Sequence, residues 1–402
     1  MREGWTLTPL GTVTTQVIEP VDLRPDVEYR NLGVKWYAAG TFLRQPKPGR
    51  DIKATRLFRV HPGQFVYNRL FATEGSFALV RPDDAEAVAS NEFPVFDVDT
   101  SRLLPEYLYL HFQQQAVWQE VNRQCTGTTK SRLRWKEERF RAFALSLPPI
   151  REQRRIVDLI GALDHAIEAT DAARRAETVH LRRQRSLVFD SLETAPARDM
   201  FDILIGVQRN PTRATGDSQT HYLRSANVGS GVLDLADVYK MSISGAERAK
   251  YALQMDDVLV SEGSASETAV GAPCRWRGEI DGTVCFQNTL LRYRSRSGRT
   301  TPGFVEHWCA WAHDSGAFRE VAGGSNIKHI GARRAELMPV AAIPFSEQRN
   351  LLAPIEAAAE ALRASETHMR SLQALRATAL TALLSGEHEI PESYDNLLEV
   401  AS

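Results

Sequence analysis

The sequence predicts an α+β protein: two similar mixed α/β domains separated by two long helices that pack as an antiparallel coiled coil, with pseudo-two-fold symmetry. Three observations predict it. First, "LPPIREQRRI" at 147–156 is answered by "IPFSEQR" at 343–349. That separation is too long for a solenoid, whose units run to roughly 20–50 residues, and points to duplication of a whole domain. Second, each of these phrases opens a long segment carrying one apolar stripe. Third, when Glu152 is laid on Glu347, the segments ahead of the two phrases fall into the same order.

The first domain is expected over 1–149 and its counterpart over 196–343. "YRNLGV" (29–34) resembles "LRSANV" (223–228), and "HPGQFVYNR" (61–69) resembles "QMDDVLVSE" (254–262). Each of the latter two is a turn leading into an alternating apolar strand. "LLPEYLYLHF" (103–112) and "TTPGFVEHWC" (300–309) read as Pro-initiated helices. "TGTTKSRL" (126–133) answers "GGSNIKHI" (323–330), and "SLVFDSLETAP" (186–196) answers "LTALLSGEHEIP" (380–391).

Long helix 1 is expected over 150–195. Pro148 and Pro149 stop what precedes them, because proline is tolerated in a first helical turn and forces its predecessor into extended geometry. Ile156, Ile160, Leu163 and Ile167 follow at four-three-four spacing, and Leu181, Val188 and Leu192 resume the seam. Long helix 2 is expected over 344–386, with Ser346 as N-cap and Ser385-Gly386 as its end. Its stripe is Leu352, Ile355, Ala359, Leu362, Met369, Leu372, Leu380 and Leu383. Pro354 either kinks this helix or moves its start to about residue 353. Two such stripes bury each other most simply, and docking of each on its own domain is the alternative. If they pair antiparallel, helices of about 60 Å place the domains at opposite ends, where a linear, regularly spaced target such as duplex DNA would be met.

With 402 residues, 43% hydrophobic and 25% charged, the chain has material for two cores. The opening Arg2, Glu3 and Trp5 do not suit a secretory segment, and no apolar run approaches the roughly 18 residues of a membrane span, so a cytoplasmic protein is expected. Cys125, Cys274, Cys285 and Cys309 have no zinc-type spacing and are expected to be free thiols. The net charge of −1 hides segregation. Arg44 to Arg59 holds six basic residues against one acid, Arg123 to Arg141 is also basic, and 387–402 forms an acidic C-terminal tail.

The whole chain resembles the DNA-specificity subunit of type I restriction-modification systems. The residues that carry the resemblance are the "W-x4-LG" of Trp5 to Gly11, the strand-with-turn segments at 63–69 and 256–262, the Gly-Thr/Ser loops at 127–130 and 324–328, the two helix starts, and "LLSGEHEIP". The second copy departs from the pattern: Ile343-Pro344-Phe345 replaces a Pro-Pro pair, and its opening "RDMFDILIG" lacks a tryptophan. The resemblance implies a non-catalytic reader. Each globular domain would be a target-recognition domain for one half of an asymmetric, bipartite site in double-stranded DNA, and the long helices would set the spacing. Two DNA adenine methyltransferase (modification) subunits would dock to it, and a motor-nuclease (restriction) subunit could join for cleavage. No cofactor is expected in this chain; S-adenosylmethionine, ATP and Mg would belong to the partners. A sequence-blind scaffold, and a fused methyltransferase or nuclease with cryptic motifs, are the rival readings.

The residues agree with a reader, since neither an Asn/Asp-Pro-Pro-Tyr/Phe motif nor a P-loop is present. Phosphate contacts favour Lys, Arg and hydroxyls, and base edges favour Arg, Lys, Asn and Gln. That chemistry recurs at Thr128, Thr129, Lys130, Arg132 and Arg134 in the first copy and at Ser325, Asn326, Lys328 and His329 in the second. A capped turn is the equal alternative for both groups. Asn68-Arg69 ends its strand where a recognition loop could begin, and Glu262 takes the arginine's place in the second copy.

Overall fold

The computed structural model describes residues 2–54, 56–127, 133–190, 193–216, 218–264, 266, 269–324 and 328–396. The chain forms two compact units, Met1–Ala169 with Met369–Ser402, and Thr170–His368. Each is built on the same plan.

In unit 1 a four-stranded antiparallel sheet runs in the order Thr14–Val17, Val95–Val98, Phe65–Tyr67, Phe77–Leu79. In unit 2 the order is Phe201–Ile205, Leu290–Ser295, Val258–Ser261, Pro273–Arg275, again antiparallel throughout. A second sheet in each unit contains one parallel pairing, Glu28–Val34 with Ala87–Ser90 in unit 1 and Gln219–Leu223 with Val284–Phe286 in unit 2. A two-stranded ribbon then closes each domain: Thr6–Pro9 pairs with Ala144–Leu147, and Thr194–Pro196 with Pro339–Ala341.

The strands at 65–67 and 258–261 alternate between two cores instead of between core and solvent, so every residue in them is buried. Phe65 and Tyr67 enter the main core of unit 1 while Val66 enters a second cluster with Leu32 and Val34. Val258 and Val260 pack with Trp308 and Phe304, and Leu259 packs with Trp276 and Phe286. Both strands follow a turn in the left-handed region, at Gly63 (φ 85°) and at Asp256 (φ 75°).

The repeated Glu-Gln phrase has a structural explanation. Gln153 is fully buried; its side chain accepts from Leu104 N (2.9 Å) and donates to Arg102 O and Pro148 O (both 2.9 Å). Gln348, also fully buried, accepts from Thr301 N (3.0 Å) and donates to Arg299 O (2.7 Å) and Ile343 O (3.1 Å). In each copy one amide ties the long helix to the chain entering the Pro-initiated helix, Pro105–His111 or Pro302–Asp314. A buried amide earns its place only when its donors and acceptors are all met, which is why the same residue stands at both positions.

The long helices are Ile150–Phe189 and Phe345–Leu384. The second starts one residue before Ser346, with Pro344 O accepting from Glu347 N and Gln348 N (2.9 and 3.3 Å), so proline takes the expected N-cap position. Pro354 lies inside the continuous helix, and Gly386 closes it with φ +74° and a bond to Leu383 O. In unit 1, Ile156 and Ile160 of the first helix share a core with Leu380, Leu383 and Leu384 of the second and with Leu103 and Tyr107 of the domain. Leu163 packs against it, Met369 is buried, and Ile167 and Leu372 are half-buried. Asp164 of the first helix pairs with Arg376 of the second. In unit 2, Leu181 and Phe189 join Leu352, Ile355 and Ala359, with Val188 and Leu362 against them. The start of each helix therefore meets the end of the other, antiparallel, and the same stripes also dock on a globular core. The acidic tail, as far as residue 396, is folded onto the first helix: buried Arg155 holds Asp395 (2.6 and 2.7 Å), Tyr394 donates to Asp158 (2.5 Å), and Arg2 pairs with Glu389 (2.7 Å).

Candidate nucleic-acid interface

Each domain presents a loop closed by an antiparallel bridge, Thr126 with Arg134 in the first and Gly323 with His329 in the second. The bridges carry paired backbone bonds of 3.0–3.1 Å and 2.8–2.9 Å. These are the loops expected to touch DNA, and Thr128, Thr129, Lys130, Arg132, Ser325 and Asn326 lie outside the described residues. The loop bases are described. In the first domain Arg134 pairs with Glu92 (3.2 Å), and Trp135 N bonds Arg69 O (3.1 Å). Arg69 itself is paired with the buried Glu137, so its charge is committed within the domain. Asn68 is buried, and its Oδ1 accepts from Leu70 N (3.0 Å).

In the second domain Ile330 N bonds Glu262 O (2.9 Å), the same backbone link with the opposite charge. Glu262, buried, accepts from Gly331 N (3.1 Å) and faces His329 Nδ1 at 2.8 Å. Lys328 pairs in register with Ser264. Glu262 is therefore a fastener of the loop base.

A surface that the residue-by-residue reading passed over lies beside Asn68. The turn after "YRNLGV" is Lys35-Trp36-Tyr37, and Trp36 and Tyr37 are 48% and 66% exposed. Trp36 tilts against Phe71 (5.4 Å between centroids) and Tyr37 against Trp118 (6.0 Å). Trp36, Phe42, Phe71, Phe93 and Asn68 line an open depression of about 430 Å³. Arg44 and Phe93 also border a neighbouring one with Lys47 and Lys53. Lys35, Arg44, Lys47 and Lys53 are exposed and, among the described residues, no ion pair holds them. The basic run at 44–59 was visible in the sequence; its aromatic neighbour was not, because Trp and Tyr after a strand read equally well as core.

In the second domain Gly229-Ser230-Gly231 takes the place of that turn, with Gly231 left-handed (φ +80°). Ser230 and Gly231 line a cavity of about 320 Å³ with Arg174, Arg182, Arg185, Arg275, Arg277 and Arg363. Several of these are neutralised: Arg275 and Arg277 by Glu306, and Arg182 and Arg185 by Asp314. His307, in the same lining, is buried, and that burial, with Arg185 nearby, pushes its pKa down to about 4.

Comparison with known proteins places this arrangement. The family model of the type I restriction modification DNA specificity domain matches residues 26–177, so that stretch is similar to such a domain. No curated protein matches it. Among solved structures, a chain from a type I R-M system, studied for its complex assembly and conformational transition, covers 96% of this chain and 98% of itself at 17% identity, with a TM-score of 0.62. The type I restriction-modification S subunit from M. genitalium covers 94% and 96% at 11% identity, TM-score 0.54. The HsdS subunit from Thermoanaerobacter tengcongensis aligns over 96% and 98% at 16% identity, TM-score 0.48. The first two of these alignments show that the chain has the fold of a type I restriction-modification S subunit. No helix among the described residues is long and apolar enough to cross a membrane.

Proposed function

We propose that this chain is the sequence-reading subunit of a type I restriction-modification complex, acting by binding rather than by catalysis. Each domain reads one half of a bipartite, asymmetric site in duplex DNA. Methyltransferase subunits held by this chain methylate an adenine on each strand, and S-adenosylmethionine, ATP and Mg2+ are theirs to bind, as is the cleavage that a motor-nuclease subunit would add. The observation that supports this best is the doubling of one frame with different chemistry at its loop bases, together with the family match across the first copy. Mapping methylated adenines in host DNA, with the gene present and deleted, tests it. The expected result is a motif of two short specified halves around an unspecified gap, methylated on both strands and lost on deletion. A methylome unchanged by deletion, or a single contiguous motif, would contradict the proposal.

A further inference from the structure

We infer that the aromatic depression of the first domain is a nucleobase-binding site that takes a base unstacked from the DNA; this rests on the DNA-reading function proposed above. The depression, at about 430 Å³, falls in the range of small-molecule sites, roughly 300–1,000 Å³. Its walls are π surfaces: Trp36, Phe42, Phe71 and Phe93. Trp36 and Phe71 are 48% and 40% exposed, and large aromatics left in water beside one another mark a surface that something covers.

The site is held in shape before any ligand arrives. Tyr37 and Ala38 both sit in the left-handed region (φ 57° and 49°), which residues with a Cβ seldom adopt. Three hydrogen bonds hold them there: Tyr37 N to Glu74 O (2.8 Å), Ala38 N to Gly75 O (2.7 Å) and Tyr109 OH to Ala38 O (2.5 Å). Strained backbone that its surroundings over-determine is typical of binding sites. Asn68 supplies a polar group. Leu70 N occupies its Oδ1, and among the described residues Nδ2 has no partner, so it is available to donate to a base edge.

The surrounding charge identifies the occupant. Exposed aromatics would also suit a protein partner, but lysine is depleted from protein interfaces, and this depression is flanked by Lys35, Arg44, Lys47 and Lys53, all exposed and without ion pairs among the described residues. Stacking aromatics edged by unpaired cations are the combination that holds unpaired nucleotides. The second domain has Gly229-Ser230-Gly231 in place of Lys35-Trp36-Tyr37, so base capture is confined to the half-site read by the first domain.

The test uses the intact methyltransferase-loaded complex and the duplex defined by methylome mapping, with 2-aminopurine placed in turn at each position of the half-site assigned to the first domain. Binding should raise the fluorescence at one position other than the methylated adenine, which the methyltransferase itself takes out of the stack. Trp36→Ala and Phe71→Ala should each weaken binding by roughly 5- to 150-fold, the range for losing one stacked base, and abolish the rise, while Trp36→Phe retains most of both. No rise at any position other than the methylated adenine with the wild-type complex overturns the site, whatever the variants do. Unchanged affinity in both alanine variants, or loss of methyltransferase association in place of DNA affinity, also overturns it and leaves the DNA-reading function standing. A wild-type complex that binds the mapped and a scrambled duplex equally overturns both.

Discussion

The two domains share a frame and differ in what the frame holds. Their four-stranded sheets have the same strand order, and Gln153 and Gln348 make the same three bonds. Yet the residue at the base of the bridged loop is Arg69 in one and Glu262 in the other, and the turn that follows the matching strand segment is aromatic in one and glycine-rich in the other. The frame depends on backbone groups, which every sequence has, clamped by one amide whose geometry cannot vary. The loop bases depend on side-chain partners, which differ between the copies: Glu137 for Arg69, and His329 with Gly331 N for Glu262. Specificity can therefore diverge between the copies without disturbing the scaffold.

The largest expected effect breaks this comparison at the loop bases. Arg69→Ala strands the buried Glu137, and an uncompensated buried charge costs about 3–5 kcal/mol. Glu262→Gln keeps an acceptor for Gly331 N and faces a His329 that is half exposed, so its cost should stay below about 1 kcal/mol. Urea unfolding, with hydrogen exchange to assign the loss to a unit, measures both. Equal losses would mean that the two bases are not wired differently.

The frame should respond symmetrically. Gln153→Leu and Gln348→Leu each unmake three hydrogen bonds to buried backbone, for about 3 kcal/mol apiece. Exchange protection should fall near residues 102–104 for the first and 299–301 for the second. If only one variant is destabilised, the frames are not equivalent.

A smaller effect, shared by the two units, should appear with pH. Burial pushes both His307 of unit 2 and His111 of unit 1, each in the Pro-initiated helix, down to a pKa of about 4. The folded His307 has a pKa near 4, below its ordinary 6.5, so the stabilisation is complete above pH 6.5 and is lost as pH falls toward 4. The loss for each histidine should be about 2 kcal/mol by pH 5 and about 3 kcal/mol by pH 4, at a slope of up to about 1.4 kcal/mol per pH unit, with His307 felt in unit 2 and His111 in unit 1. Melting His307→Gln and wild type across this range should show a flatter profile in the variant.

Much of the frame was legible in the sequence because it is written in strong local signals. Pro148-Pro149 and the two apolar stripes gave the long helices, and the order of turns and strands gave the duplication. What escaped depends on distant partners. The Glu-Gln echo was visible, but nothing local says that the glutamine is the working member, because two of its three main-chain partners lie about fifty residues upstream. Arg69 read as the start of a recognition loop because its partner Glu137 lies far along the chain within a basic run. Trp36 and Tyr37 were passed over because exposure of an aromatic is decided by tertiary packing. Pro354 could not be placed from sequence, since an interior proline and a displaced helix start look alike until the preceding turn is seen.

The central claim is that two independent readers share one frame. It is tested most directly by replacing residues 1–149 with the corresponding domain of another family member and mapping methylated adenines made by the assembled hybrid complex. One half of the recognised motif should change while the other half stays as in the parent. A hybrid that is active but alters both halves, or neither, would contradict it.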